Sequence, residues 1–188
     1  MAMTSQPLVI LGVAVLGAML AIAALFDLRS RRVPNELTVT LAATGIALAA
    51  IGGGWPAAAW AVLGTITGLA ALFFPFARGW VGAGDVKLLG AIGAWVGPIG
   101  AVLCGLTASV AGGVLAAVFI ARAAAAERRE VLTNLQLALY LRAMPELPTR
   151  AADRQPPYAV ALGAGVAVAV WIFGPQVLLV LGGVRFAI

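Results

Sequence analysis

Two aspartates stand out in a chain dominated by apolar residues. Asp27 closes the first hydrophobic stretch, in Ala23-Ala24-Leu25-Phe26-Asp27-Leu28-Arg29, and Asp85 sits in a glycine-flanked turn, Gly82-Ala83-Gly84-Asp85-Val86-Lys87. A carboxylate at a membrane edge is costly to desolvate, which makes it a functional candidate from the outset. Two carboxylates brought together repel when both are ionised, so such a pair holds a shared proton near neutral pH. The ionised member takes a proton from a water that attacks a peptide carbonyl. The protonated member donates to the carbonyl oxygen and then to the leaving amine. This chemistry needs no metal and no cofactor.

Composition removes most rivals. The chain has no histidine, which excludes Ser-His-Asp and Cys-His catalysis and the common zinc sites. Its one cysteine, Cys104, lies in an apolar run and reads as a small core residue. No cofactor and no metal are expected. The net charge of +5 comes without a dense basic stripe interleaved with aromatics, so no nucleic-acid partner is expected. Positive charge beside apolar helices is instead what the positive-inside rule predicts.

The elements that must position the aspartates follow from hydropathy. The 188 residues are 63% hydrophobic and 10% charged, where a soluble domain carries about 25% charged residues. The fold class expected is all-α, a polytopic membrane helix bundle of about six transmembrane helices. The spans read as 8–26, 37–53, 57–77, 86–103, 105–121 and 158–181. The N-terminus lacks a positive n-region, so the first run reads as a span rather than a cleaved signal. The stretch 86–121 is too long for one helix, and Gly97-Pro98 and Gly100 offer breaks within it. Gly64 and Gly68 form a small-xxx-small pair suited to close helix packing or, alternatively, to hinges.

Charge placement orients the bundle. Every Asp and Glu, and every Lys and Arg except Arg185, falls in 27–36, 78–87 or 122–157. Those segments are therefore expected to be cytoplasmic, with both termini on the other side and both aspartates at the cytoplasmic face. The chain reads as a single membrane-embedded domain, 1–188. The loop 122–157 is its one sizeable polar region, and 127–144 within it reads as a helix able to lie on the membrane surface.

The flanking residues have simpler readings beside the chemical one. Gly82 and Gly84 permit unusual backbone angles and close approach of another chain. Asp85 precedes a helix start, where it reads equally as an N-cap. Lys87 reads as a snorkelling topology residue or as an electrostatic neighbour of Asp85. Pro34 restricts Val33, and Asn35 is a candidate cap for the second span.

Three segments together resemble the type IV prepilin peptidases. The run from Asp27 through Arg29, Arg31 and Arg32 to Val33-Pro34-Asn35-Glu36-Leu37-Thr38 is similar to that family's first motif. Gly82 to Gly97 resembles its GxGD motif with the extension that follows, and Pro157 to Gly165 its late motif. The resemblance implies a membrane aspartic endopeptidase of the bacterial cytoplasmic (inner) membrane. It implies Asp27 and Asp85 as the catalytic pair, with Gly82, Gly84, Lys87, Pro34 and Asn35 as supporting motif positions. The implied partners are prepilin or pseudopilin precursors, whose short basic leader is cut at the cytoplasmic face, beside the lipid bilayer itself. Longer members of the family carry a further cytoplasmic region associated with N-methylation. This chain has none, so methyltransferase activity is expected to be absent, and the short form resembles the tight-adherence pilus peptidases. Two other classes would use the same aspartates differently. A proton-coupled transporter would use them as a relay, and a pilus-assembly protein would keep the motifs without cutting.

Overall fold

The computed structural model describes residues 6–30, 33–78, 81–122 and 158–173, with isolated helical residues between 129 and 140. All described elements are α-helices: α1 (Gln6–Ser30), α2 (Asn35–Ala77), α3 (Ala83–Arg122) and α4 (Tyr158–Phe173). Contacts group residues 1–111 with 157–188 in one unit and 112–156 in another, and the core and the aspartates lie in the first. The surface helix expected over 127–144, and the end of the last span beyond 173, lie outside the described residues.

α2 and α3 are each folded in two. Gly54 has φ 67° and ψ −159°, and Gly97 has φ 71° and ψ −179°, conformations open in practice only to glycine. Ala49 and Ala61 share a small cluster with Ile46 and Ala57, although a straight helix would hold the two alanines about 18 Å apart. A Cβ on Gly105 would meet Leu89 Cδ2 at 3.2 Å, where a straight helix would separate these residues by about 24 Å. α2 is thus a hairpin with arms 35–53 and 55–77, and α3 one with arms 83–96 and 98–122. Pro56 and Pro98 open the returning arms, where their missing N–H breaks no helical bond.

The α2 turn falls where the second and third spans were expected to part. The α3 turn comes at Gly97, the Gly97-Pro98 break offered within 86–121, and not at 103–105, where the edges of the fourth and fifth spans were drawn. Hydropathy is continuous through this region, so only the backbone chemistry of Gly-Pro marks the corner.

The first arm of α3 is the centre of the molecule. Residues 88–97 are buried without interruption, with Leu88, Leu89, Ile92 and Trp95 fully enclosed. Trp95 Nε1–H donates to the Leu41 carbonyl at 2.7 Å, so its one polar atom is satisfied in the apolar core. The second arm of α2 lies against it backbone to backbone, because Gly64 faces Gly93 and Gly68 faces Leu89 and Gly90. The small-xxx-small pair is therefore a packing seam, as expected of helices that meet closely. α1 packs against α2 and α4. α4 is joined to the second arm of α3, where Thr107 Oγ1 donates to the Gly165 carbonyl at 2.9 Å.

The outward faces are apolar. Ile51, Trp55, Ile66, Phe73 and Val110 are all exposed. α1 from Gly12, α2, and α3 as far as Val118 are long and apolar enough to cross a membrane.

Candidate active site

Asp27 reaches the interior through the register of α1. Leu16, Leu20 and Ala23 are buried at helical spacing, and Asp27 continues the same stripe one turn further on. It is 8% exposed, and it and Thr38 are the buried polar residues among those described. α1 ends one turn later at Ser30, whose Oγ donates to the Phe26 carbonyl at 2.8 Å.

Asp85 is held by the first turn of α3. The Gly82 carbonyl accepts the N–H groups of Asp85 at 3.1 Å and Val86 at 3.4 Å, which makes Gly82 the N-cap. Asp85 is the third residue inside, and its carboxylate accepts the backbone N–H of Gly82 in return. That return bond is one half of a capping box. The expected N-cap role of Asp85 is corrected accordingly: it supports the cap from inside the turn. A Cβ on Gly82 would sit 3.2 Å from Asp85 Oδ2, so glycine here leaves the carboxylate room.

The two carboxylates lie within electrostatic range of each other. Asp85 is half-buried and senses the negative charge of Asp27. They arrive from different helices, α1 at its last turns and α3 at its first.

The supporting positions assemble at the same end of the bundle. Pro34 has φ −59° and ψ 140° and is the N-cap of α2, its carbonyl accepting the Thr38 N–H at 3.3 Å. Asn35 is therefore the first residue inside α2, not its cap. Its side chain is committed elsewhere: Lys87 Nζ donates to Asn35 Oδ1 at 2.9 Å. Gly84 approaches Val33 closely enough that a Cβ on it would lie 3.8 Å from Val33 Cβ. Val33 and the first residue of α2 thus rest against the start of α3, the one through an apolar approach and the other through a polar contact.

Asp85 and Lys87 leave α3 in nearly opposite directions, because residues two apart on a helix differ by about 200°. Thr38 was missed from the sequence. It is buried, donates from Oγ1 to the Asn35 carbonyl at 3.0 Å and stiffens the turn that carries Asn35. The signal for it was a threonine placed one turn after Pro-Asn.

Three helices able to span a bilayer put the chain in the class of helical membrane proteins. Within that class, residues 14–117 match the type IV leader peptidase family, and the chain belongs to it. The match includes α1 from its third turn, all of α2 and nearly all of α3, and with them both aspartates. No curated protein and no solved structure matches the chain.

Proposed function

We propose that this protein is a membrane aspartic endopeptidase that removes the basic leader from prepilin-type precursors, using Asp27 and Asp85 with water. What supports this reading is a buried Asp27 within electrostatic range of Asp85, both inside a match to a leader peptidase family. Like charges that sense each other disfavour double ionisation, so in this reading the pair works with one proton between them. The ionised carboxylate accepts a proton from water as its oxygen attacks the scissile carbonyl. The protonated one donates to the developing oxyanion. Collapse of the tetrahedral intermediate returns that proton to the leaving amine, and the dyad is restored.

The same reading sets the six helical rods across the bacterial cytoplasmic membrane, with the 27–36 and 78–87 connections on the cytoplasmic side. The excess of Lys and Arg in the charged connections supports that orientation. It assigns no methyltransferase activity, and substrates of the pilin or pseudopilin type.

The test is co-expression with a type IV pilin precursor and gel-shift assay of leader removal. Asp27→Asn and Asp85→Asn, made separately, are each expected to lower the cleavage rate by about 100-fold or more. Trimming at the wild-type rate by either single variant, with the protein present in the membrane, would sink the dyad.

A further inference from the structure

Beside the aspartates, but on the other side of α3, lies a groove that the dyad does not use. Its volume is about 390 Å³. Asn35, Thr38 and Val39 of the first α2 arm line one wall, Leu69 of the second arm another, and Lys87 and Gly90 of α3 the floor. The spacings are helical, so each wall is one continuous face of its helix. The polar residues cluster at one end. Asn35 and Thr38 are in the first turn of α2, and Lys87 is in the second turn of α3. That end is also where Asp85 sits. The deeper lining is apolar apart from Thr65.

Resting on the peptidase reading, we infer that this groove is a substrate subsite. It takes an apolar, non-cationic stretch of the precursor adjacent to the scissile bond. The one charged side chain lining it is Lys87, whose amine is held by the neutral amide oxygen of Asn35. With no anionic partner among the described residues, a cation at the mouth repels a basic segment and admits an uncharged or acidic one. The apolar walls together with this cation fit an apolar segment of the precursor, on the side of the cut away from the basic leader. Continuity with the aspartates sets the register. The dyad and the groove flank the first turns of α3, a helix about 10 Å across with its side chains. An extended chain rises about 3.3 Å per residue. The groove thus receives side chains that begin roughly three or four residues from the cleaved bond. Lys87 and Asn35 guard that approach, and Leu69 and Val39 supply the apolar walls.

The experiment uses the full chain in phosphatidylcholine nanodiscs, carrying Asp85→Asn so that capture does not depend on cleavage. p-Benzoylphenylalanine at Val39 is photoactivated against two synthetic peptides. Both share a stretch of about twenty Leu and Ala residues, long enough to span a bilayer. One begins with neutral residues and the other with two lysines at the head of the stretch. The neutral peptide is expected to crosslink, and the lysine peptide about fivefold less or weaker still. Lys87→Glu is expected to abolish that preference, and Leu69→Trp to block capture of both. In the cleavage-competent chain, Leu69→Trp is expected to raise KM for a pilin precursor with kcat little changed. Equal capture of both peptides, capture unaffected by Leu69→Trp, or crosslinks to phospholipid alone would overturn the subsite, the last by making the groove a lipid site. Selective capture by a chain that trims no precursor would overturn the peptidase reading and leave the groove. Trimming with unchanged KM in Leu69→Trp would do the reverse.

Discussion

The same pair of helices meets in two different ways. Along one line the second arm of α2 and the first arm of α3 touch backbone to backbone, through Gly64, Gly68 and Gly93. One residue further round α2, at Thr65 and Leu69, the surface beside Gly90 opens into a groove of about 390 Å³. The contrast lies in residue size by register. Where glycines face each other the rods close, and where a leucine or threonine stands at their edge the surface opens. The closed line fixes α3, and with it Asp85. The open line leaves a surface for something else to fill. Adding a single methyl at successive glycines therefore separates what the seam does from what the groove does.

The largest effect is expected at the seam. A Cβ on Gly93 would overlap the Gly64 carbonyl, and one on Gly64 would overlap Gly93 and come within 2.8 Å of Gly97 Cα. These obstacles are backbone atoms of a partner rod and have no rotamer to escape into. Overpacking typically costs 1–3 kcal/mol, and a rigid backbone contact belongs at the upper end, so Gly93→Ala should destabilise by about 3 kcal/mol. An SDS-unfolding midpoint measured on the purified protein checks this. Unchanged stability would mean that the seam is not close-packed.

A smaller loss is expected at Gly45. A Cβ there would lie 2.8 Å from Cδ1 and Nε1 of Trp95 and 3.1 Å from Ala94 Cβ. The obstacle is a side chain, but a flat ring pinned by its 2.7 Å hydrogen bond to the Leu41 carbonyl. Gly45→Ala should cost about 1–2 kcal/mol and perturb tryptophan fluorescence, because Trp95 must tilt away from Leu41. A stability loss with an unchanged spectrum would place the strain elsewhere.

How far the sequence reveals this arrangement depends on what each feature requires. Asp27 and Asp85 were legible because ionisable residues are rare in so apolar a chain and because each stands beside a turn. The α2 hairpin was legible because three consecutive glycines interrupt the hydropathy. The α3 turn was legible only as one of several glycine and proline breaks, since the run from Lys87 to Ala121 has no charged residue after Lys87 and the corner depends on the φ of Gly97. The stripe that buries Asp27 was not legible at all: α1 is apolar on every face, so no periodicity distinguishes the inward side. The Lys87–Asn35 bond joins residues 52 positions apart, and the groove is defined by side chains from three rods. Neither exists until the rods are packed.

The smallest stability change expected at a packed glycine is at Gly90, and there the comparison sharpens. A Cβ on Gly90 would sit 2.7 Å from Leu69 Cγ and Cδ2, as tight on paper as the contact at Gly45. The obstacle differs in kind. Leu69 is 38% exposed, and its flexible side chain can turn away from the added methyl. Alanine also lowers the entropic penalty of glycine in a helix by about 1 kcal/mol, which offsets the rotamer shift. Gly90→Ala should therefore leave the SDS midpoint within about 0.5 kcal/mol of the parent. The displaced Leu69 moves into the groove, so the same substitution should raise KM for precursor while kcat stays near the parent value. A stability loss as large as that of Gly93→Ala would make the groove wall part of the seam. An unchanged KM would detach the groove from the substrate. A stable variant with weakened binding would locate the boundary between scaffold and binding surface at one residue of α3.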